Sequence, residues 1–256
     1  MPDAPVLRTQ DLSVAFGGHQ AVNRVSCAFH RGSLTAIVGP NGAGKTTYLN
    51  LISGQLRATG GDVWLDGETV TGSTAAHRAH LGIGRAFQLT SLFPNLTVLE
   101  NVRLAVQSRR GGSFRLLSLA TQRTDLTELA QSYLKQVRLE QRAEHVAAAL
   151  PHGDQRKLEV AILLALQPKV FLFDEPTAGM SVDEVPVVLD LIHEIKNQGD
   201  KTILLVEHKM SVVRALSDRI IVLHNGALVA DGQPDEVIAS PIVQQAYLGM
   251  GGAGRG

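Results

Sequence analysis

The sequence predicts an α/β fold in which a wound α/β core is accompanied by an antiparallel β region and a helical region. Short β-like segments alternate with glycine-containing turns from Val6 to Phe29, which is typical of antiparallel strands. From Leu96 to Leu150, apolar residues recur at helical spacing in a stretch rich in Gln, Arg, Glu, Ala and Leu. After Pro168 the pattern becomes strand, helix and strand, which indicates α/β winding.

The elements of the first half follow in order. The apolar run from Leu34 to Val38 predicts a buried strand, and Lys45 to Ile52 predicts the opening of a helix. Gly61 to Gly67 predicts another strand that turn residues close. In the helical region, Arg109 to Ser113 predicts a loop.

The second half contains two further apolar strands that flank a helix, followed by a hairpin. The strands are predicted at Lys169 to Phe173 and at Thr202 to Val206, with the helix at Val182 to Lys196. The His224-Asn-Gly226 turn signal joins two short strands into a hairpin. Two short helices then begin at prolines and end near Leu248.

Composition limits the class of protein. A hydrophobic content of 44% in 256 residues suffices for a core, and Lys plus Arg balance Asp plus Glu at 24 each. This balance provides no net positive field for nucleic acid, so we expect no nucleic-acid partner. The single cysteine, Cys27, excludes an intramolecular disulfide and indicates a reducing compartment. Neither a signal peptide nor an apolar stretch of membrane-spanning length is present, so any membrane role is expected to be peripheral.

A phosphate-binding motif follows the first buried strand. Gly39-Pro-Asn-Gly-Ala-Gly-Lys-Thr46 has the Gly-x-x-x-x-Gly-Lys-Thr spacing of a P-loop. Its glycines allow backbone N–H groups to turn inward, and the helix N-terminus adds a positive dipole end. We expect Lys45 to reach the β- and γ-phosphates and the Thr46 hydroxyl to bind Mg2+. The alternative is a glycine-rich turn that binds nothing. The residues expected to contact ATP here are Gly39, Pro40, Asn41, Gly42, Ala43, Gly44, Lys45, Thr46 and Thr47.

An acidic pair follows a later strand. Val170 to Phe173 delivers Asp174 and Glu175 to the carboxyl end of a strand, where open α/β sheets bind ligands. This pattern is typical of a Walker B motif, in which Asp174 would hold Mg2+ through its water shell and Glu175 would polarise the attacking water. The alternative is a helix-capping acidic pair.

Five motifs resemble, in their order along the chain and in their spacing, those of the nucleotide-binding subunits of ATP-binding-cassette (ABC) transporters. Besides the P-loop and the Walker B pair, they are Ala86-Phe87-Gln88, Leu150-Pro-His-Gly-Asp-Gln155 and Val206-Glu-His208. The resemblance implies the fold of a P-loop NTPase ABC cassette with an antiparallel β subdomain and a helical subdomain. It also implies an ATPase that uses ATP and Mg2+.

The resemblance assigns roles to single residues. Gln88 would sense Mg2+ and the attacking water, and His208 would contact the γ-phosphate. Phe16 would stack on adenine, with a core phenylalanine as the alternative. A second cassette would complete the ATP site with its signature motif, which here comprises Pro151, His152, Gly153, Asp154 and Gln155.

The resemblance also implies boundaries along the chain. Residues 1–88 and 151–232 would form the RecA-like core with the β subdomain, and 89–150 the helical subdomain, which runs into the signature helix. The C-terminal helices would span 233–249, and 250–256 would be a disordered tail.

The signature departs from the usual Leu-Ser-Gly-Gly-Gln, because Pro151 replaces the serine and His152 the first glycine. With Gly-Asp-Gln-Arg-Lys-Leu-Glu159 and Glu-Pro-Thr-Ala-Gly-Met180, the chain resembles the LivG-type cassette of branched-chain amino acid importers. This implies a second cassette in a hetero- or homodimer, two membrane permeases, an extracytoplasmic solute-binding protein, and a peripheral place at the cytoplasmic face of the inner membrane.

Other functions remain open on the same residues. The altered signature would suit a regulatory subunit that binds ATP with weak or no turnover, and related cassettes serve urea and amide importers. A DNA-repair or translation ATPase would usually carry a long coiled-coil insertion or two cassettes in one chain, and neither is present.

Overall fold

The computed structural model describes residues 4–86, 92–109, 120–183 and 185–248. The strands are β1 (Leu7–Phe16), β2 (His19–Phe29), β3 (Leu34–Val38), β4 (Gly60–Leu65), β5 (Glu68–Thr69), β6 (Ile83–Ala86), β7 (Val170–Asp174), β8 (Thr202–Val206), β9 (Arg219–His224) and β10 (Ala227–Gly232). The helices are α1 (Lys45–Ser53), α2 (Ala75–Leu81), α3 (Val98–Arg109), α4 (Ala120–Gln136), α5 (His152–Leu166), α6 (Val185–Asn197), α7 (Met210–Leu216), α8 (Pro234–Ala239) and α9 (Pro241–Leu248).

The chain forms two compact units. The first contains Met1–Ile83, Lys169–Glu175 and Ile195–Gly256, and the second contains Gly84–Pro168 and Pro176–Glu194. The predicted tail at 250–256 and the predicted Gln88 lie outside the described residues.

The first unit contains two sheets. An antiparallel sheet has the strand order β2-β1-β4-β5, which confirms the antiparallel region predicted from the N-terminal pattern. In the core sheet, β10, β9, β3, β8 and β7 lie side by side in that order. β3 pairs in parallel with both β8 and β9, and β10 closes the sheet as an antiparallel hairpin partner of β9. The α/β winding and the Asn-Gly hairpin are therefore confirmed.

The core sheet is buried on both faces, which explains the continuous apolar runs of its strands. Ile37 of β3 packs in one apolar cluster with α1 and the antiparallel sheet, including Tyr48 and Phe29. Its neighbours Ala36 and Val38 pack in a second cluster, which also contains residues of α7 to α9. Because side chains of a strand alternate between faces, one short strand contributes to both clusters.

A buried arginine holds the end of the helix that follows the P-loop. Arg78 of α2 donates hydrogen bonds from Nη1 to the carbonyl oxygens of Leu51 (2.6 Å) and Ile52 (2.8 Å), and from Nη2 to that of Thr71 (2.8 Å). The bonds to Leu51 and Ile52 satisfy carbonyl groups in the last turn of α1, which have no partner within the helix. The sequence contains no motif that predicts this contact.

The second unit is mainly helical. Its core includes Val102 of α3, Leu134 of α4 and Leu158 of α5, all fully buried. Thr97 and Glu100 form a capping box at the start of α3: Glu100 N–H donates to Thr97 Oγ1, and Thr97 N–H donates to Glu100 Oε2. Among the described residues, no helix combines the length and the apolarity needed to cross a bilayer.

Cys27 lies in the core of the first unit, where burial raises the pKa of its thiol to about 11. Because the thiolate is the reactive form, raising the pKa from 9.0 to about 11 leaves about 100-fold less thiolate at pH 8. We therefore expect iodoacetamide to modify the native protein at least about 100-fold more slowly than the urea-unfolded protein at pH 8. Equal rates in the two states, measured by mass spectrometry, would contradict this burial.

Candidate functional site

The phosphate-binding loop joins β3 to α1 through three glycines with left-handed backbone. Their φ angles are 150° at Gly39, 79° at Gly42 and 96° at Gly44. A Cβ atom at Gly39 would overlap the carbonyl oxygen of Leu223, and one at Gly44 would overlap that of Ala21. Only glycine fits these two positions. The loop can therefore present backbone N–H groups beside the N-terminus of α1, which is an arrangement that binds anions.

Lys45 begins α1, and its ammonium group lies inside the loop. Its side chain is buried, and Nζ donates to the carbonyl oxygens of Gly39 (2.8 Å) and Pro40 (2.9 Å). Burial lowers the pKa of Lys45 from its ordinary value, and the negative charges of Glu175 and Asp174 act in the opposite direction. A phosphate group at the loop would add negative charge beside this ammonium and favour its charged form.

Thr46 and Asp174 meet although they are far apart in the sequence. The Thr46 hydroxyl donates to Asp174 Oδ1 at 3.1 Å, which joins the start of α1 to the carboxyl end of β7. The two oxygens are of the kind that Mg2+ prefers, and this ion usually keeps several waters and takes few protein ligands. The described part of the chain contains no cluster of three or more His, Cys, Asp or Glu arranged for a metal. The residues present therefore fit Mg2+ held mainly by water and phosphate.

Glu175 and His208 form a hydrogen-bonded pair at the same edge of the sheet. The imidazole Nε2–H donates to Glu175 Oε1 at 2.6 Å, and both side chains are partly exposed. Glu175 has a left-handed φ of 51°, and its N–H donates to the carbonyl oxygen of Val206 (3.0 Å). Such a backbone is costly for a residue with a side chain and is often found at functional sites.

One cavity of about 320 Å³ brings together seven of the nine predicted P-loop residues, all except Gly39 and Pro40. It lies in the first unit, and its lining comprises Ala21, Asn41, Gly42, Ala43, Gly44, Lys45, Thr46, Thr47 and Glu175. Ala21 is an addition to the prediction, because no motif in the sequence distinguishes this alanine of β2. The cavity therefore combines an anion-binding loop, a buried ammonium group and a carboxylate that can accept a proton.

Phe16 lies outside the lining of this cavity. Phe16 ends β1, and half of its surface (50%) is exposed, so the alternative of a core phenylalanine is wrong. Gln88, predicted to sense Mg2+, belongs to a segment outside the described residues.

The signature residues belong to the second unit, at the start of α5. Pro151 is the N-cap residue with an extended ψ of 153°, and α5 begins at His152. The constrained φ of proline suits this position. Pro151 and His152 are exposed, whereas Gly153 and Asp154 are buried. His152 therefore stands on the accessible surface of the motif.

Asp154 and Gln155 use their side chains within the second unit. The Asp154 carboxylate pairs with Lys157 Nζ (2.8 Å) and Arg142 Nε (3.0 Å). Gln155 Nε2 donates to the carbonyl oxygen of Leu150 at 3.0 Å. These contacts hold the start of α5, where a negative charge also interacts favourably with the helix dipole.

Comparison with known proteins identifies the family. The profile of the family described as "ABC transporter" matches residues 22–178. The chain is 36% identical over 251 residues to the "High-affinity branched-chain amino acid transport ATP-binding protein BraF" of Pseudomonas aeruginosa, covering 96% of this chain and 98% of that protein. It is 36% identical over 250 residues to the protein named LivG of Escherichia coli (strain K12), with the same coverage.

Solved structures of ABC cassettes have the same fold. A nucleotide-free ATP-binding cassette of an ABC transporter superposes with a TM-score of 0.80 at 29% identity, covering 94% of this chain and 98% of that one. A dimeric cassette in a post-hydrolysis state, bound to ADP and phosphate, superposes with a TM-score of 0.78 at 26% identity, covering 89% and 98%. The predicted cassette fold is thus confirmed. The chain belongs to the ABC transporter family, as an ATP-binding subunit whose ATP hydrolysis is coupled to transport.

Proposed function

We propose that this chain is the ATP-hydrolysing subunit of an ABC importer for branched-chain or other hydrophobic amino acids. One observation carries the hydrolytic part: the P-loop, the Thr46–Asp174 contact and the Glu175–His208 pair converge at one sheet edge. The kind of cargo rests on the relatives, which are named as branched-chain amino acid transport proteins over nearly their whole length.

The loop and Lys45 bind the phosphates of ATP. Lys45 Nζ already occupies the loop interior, where its hydrogen bonds to Gly39 and Pro40 can be exchanged for bonds to β- and γ-phosphate oxygens. Thr46 and Asp174 would hold Mg2+, together with Gln88. When bound, this ion neutralises charge on the phosphate oxygens. Phe16, exposed at the end of β1, is available to stack on adenine.

Glu175 orients the attacking water and accepts its proton. The carboxylate lines the cavity and lies beside the Lys45 charge. His208 has one hydrogen on Nε2, which Glu175 now accepts. Donation of that hydrogen to a γ-phosphate oxygen would release Oε1 for water, so ATP itself would convert the resting pair into the working arrangement.

A second cassette completes the site through its signature. Because Asp154 and Gln155 are engaged inside the second unit, the trans phosphate would meet the Gly153 N–H and the exposed His152. Pro151 provides no N–H and here caps the helix. ATP would close the cassette dimer, and hydrolysis would reopen it and move the two permeases.

The test is purification of the complex through this subunit, with mass spectrometry of the chains that co-purify and ATPase assays in proteoliposomes. We expect two permeases, a cassette pair and ATP hydrolysis stimulated by binding protein loaded with leucine. Stimulation by urea or amides alone would transfer the proposal to those solutes. Absence of permeases would contradict the importer, and turnover that depends only on a partner cassette would favour a regulatory role.

A further inference from the structure

The two-residue turn between β9 and β10 lies against the phosphate-binding loop. Asn225 and Gly226 have φ angles of 49° and 78°, the left-handed pair typical of a tight hairpin turn. The Gly226 N–H donates to the carbonyl oxygen of Ala43 at 3.1 Å, and the Gly226 carbonyl accepts from Asn23 N–H at 2.8 Å. The turn thus connects the phosphate loop to β2, whose Ala21 lines the cavity.

No side chain fits where the backbones of the turn, the phosphate-binding loop and β2 meet. A Cβ atom at Gly226 would lie 2.9 Å from the carbonyl oxygen of Ala21 and 3.0 Å from that of Gln20. A Cβ atom at Gly44 would lie 3.5 Å from the Gly226 Cα. Both glycines are needed for close approach as well as for their φ angles, so the turn has little freedom to shift relative to the loop.

The hydrogen bond from Gly226 acts on a peptide group that takes part in the cradle. Because the peptide between Ala43 and Gly44 is planar and trans, its carbonyl oxygen and its N–H point in opposite directions. Holding the Ala43 oxygen against the turn therefore orients the Gly44 N–H away from it. Ala43 and Gly44 both line the cavity, so this orientation decides whether the N–H is available to a phosphate oxygen.

We propose that Gly226 is a positioning residue of the ATP site, which holds the Ala43–Gly44 peptide in the orientation that binds phosphate. The inference rests on the phosphate-binding role proposed above for the P-loop. Gly226 itself does not contact the nucleotide in this scheme. Its effect passes through one hydrogen bond and one close packing contact.

Gly226→Ala tests this inference, and the chain offers a matched control. Asp66 and Gly67 form an equivalent two-residue turn between β4 and β5, with φ angles of 49° and 85°. A Cβ atom at Gly67 would meet nothing within 4 Å. Gly67→Ala therefore introduces similar backbone strain without displacing a neighbour, and it separates a loss of turn stability from a loss of phosphate positioning.

The measurement is calorimetric binding of ATP with Mg2+ to the purified full-length chain, with urea unfolding of each variant. We expect Gly226→Ala to weaken ATP binding by about tenfold or more, because a hydrogen bond to a charged group is lost, and Gly67→Ala to leave it unchanged. In the assembled complex, KM for ATP should rise while kcat is retained. Wild-type affinity of a folded Gly226→Ala protein, or equal losses in both variants, would overturn the proposal.

A second variant covers the case in which Gly226→Ala does not fold. Gly226→Asn keeps the Cβ contact, but asparagine tolerates the left-handed backbone better than alanine does. This variant should therefore unfold at a urea concentration closer to that of Gly67→Ala and still bind ATP weakly. Wild-type ATP binding by that variant would also overturn the proposal. Lys45→Ala is measured in parallel: if it too binds normally, the proposed phosphate site fails, whereas a loss confined to Lys45→Ala refutes only the role of Gly226.

Discussion

Replacing Glu175 with glutamine in the assembled complex is expected to lower ATP turnover by about 10²- to 10⁴-fold while ATP binding persists. Glutamine has almost the same shape as glutamate and a similar preference for the left-handed backbone at this position, where φ is 51°. Its amide can still hydrogen-bond to His208, but it cannot accept the proton of the attacking water. The loss should therefore appear in kcat, measured by phosphate release, and not in the affinity for ATP.

Glu236→Gln is the control for this substitution. Glu236 is an exposed residue of α8, so its substitution makes the same chemical change outside the cavity. Its turnover should equal that of the wild type. An unchanged rate for Glu175→Gln would exclude Glu175 as the general base, and a parallel loss of ATP affinity would indicate that Glu175 serves mainly to shape the site.

Replacing Lys45 with alanine is expected to weaken ATP binding by about 100-fold, which corresponds to about 2.7 kcal/mol. The buried ammonium group is the positive charge that projects into the loop, with two hydrogen bonds to loop carbonyl oxygens. The substitution removes the charge that would neutralise the β- and γ-phosphates, and it leaves both carbonyl groups without this donor. Calorimetry on the isolated chain measures the affinity directly.

Lys201→Ala is the appropriate control, because Lys201 pairs with its neighbour Asp200 on the surface and lies outside the lining of the cavity. Circular dichroism establishes that each variant is folded. If Lys45→Ala bound ATP as tightly as the control, the phosphates could not lie where the loop geometry indicates.

Much of the fold was predictable because each element carries its own local signal. β3 and β8 are short apolar runs that occupy the predicted positions, and the Asn-Gly pair marks the hairpin of β9 and β10. The starts of α1, α8 and α9 were predicted correctly. The start of α6 was not, because the helix begins at Val185 whereas the apolar pattern suggested Val182. Helix ends depend on capping contacts, which the periodicity of apolar residues does not describe.

The residues of the candidate site could be predicted from the sequence, but the contacts between them could not. The P-loop and the acidic pair each follow an apolar strand in the sequence, and their chemistry is determined by residue type and spacing alone. Whether they meet is a property of the sheet: parallel order places β3, β8 and β7 side by side, so their carboxyl ends share one edge. Thr46 then contacts Asp174 across 128 positions of sequence, and Glu175 contacts His208 across 33.

The sequence by itself therefore determined the class of fold, the family, and the residues that can bind phosphate and accept a proton. Only the tertiary structure decided that Arg78 holds the end of α1, that Asp154 is engaged by Arg142 and Lys157, and that Gly226 supports the phosphate loop. The physical reason is that motifs are short stretches with local chemistry, whereas these contacts arise from backbones and side chains that packing brings together from distant positions.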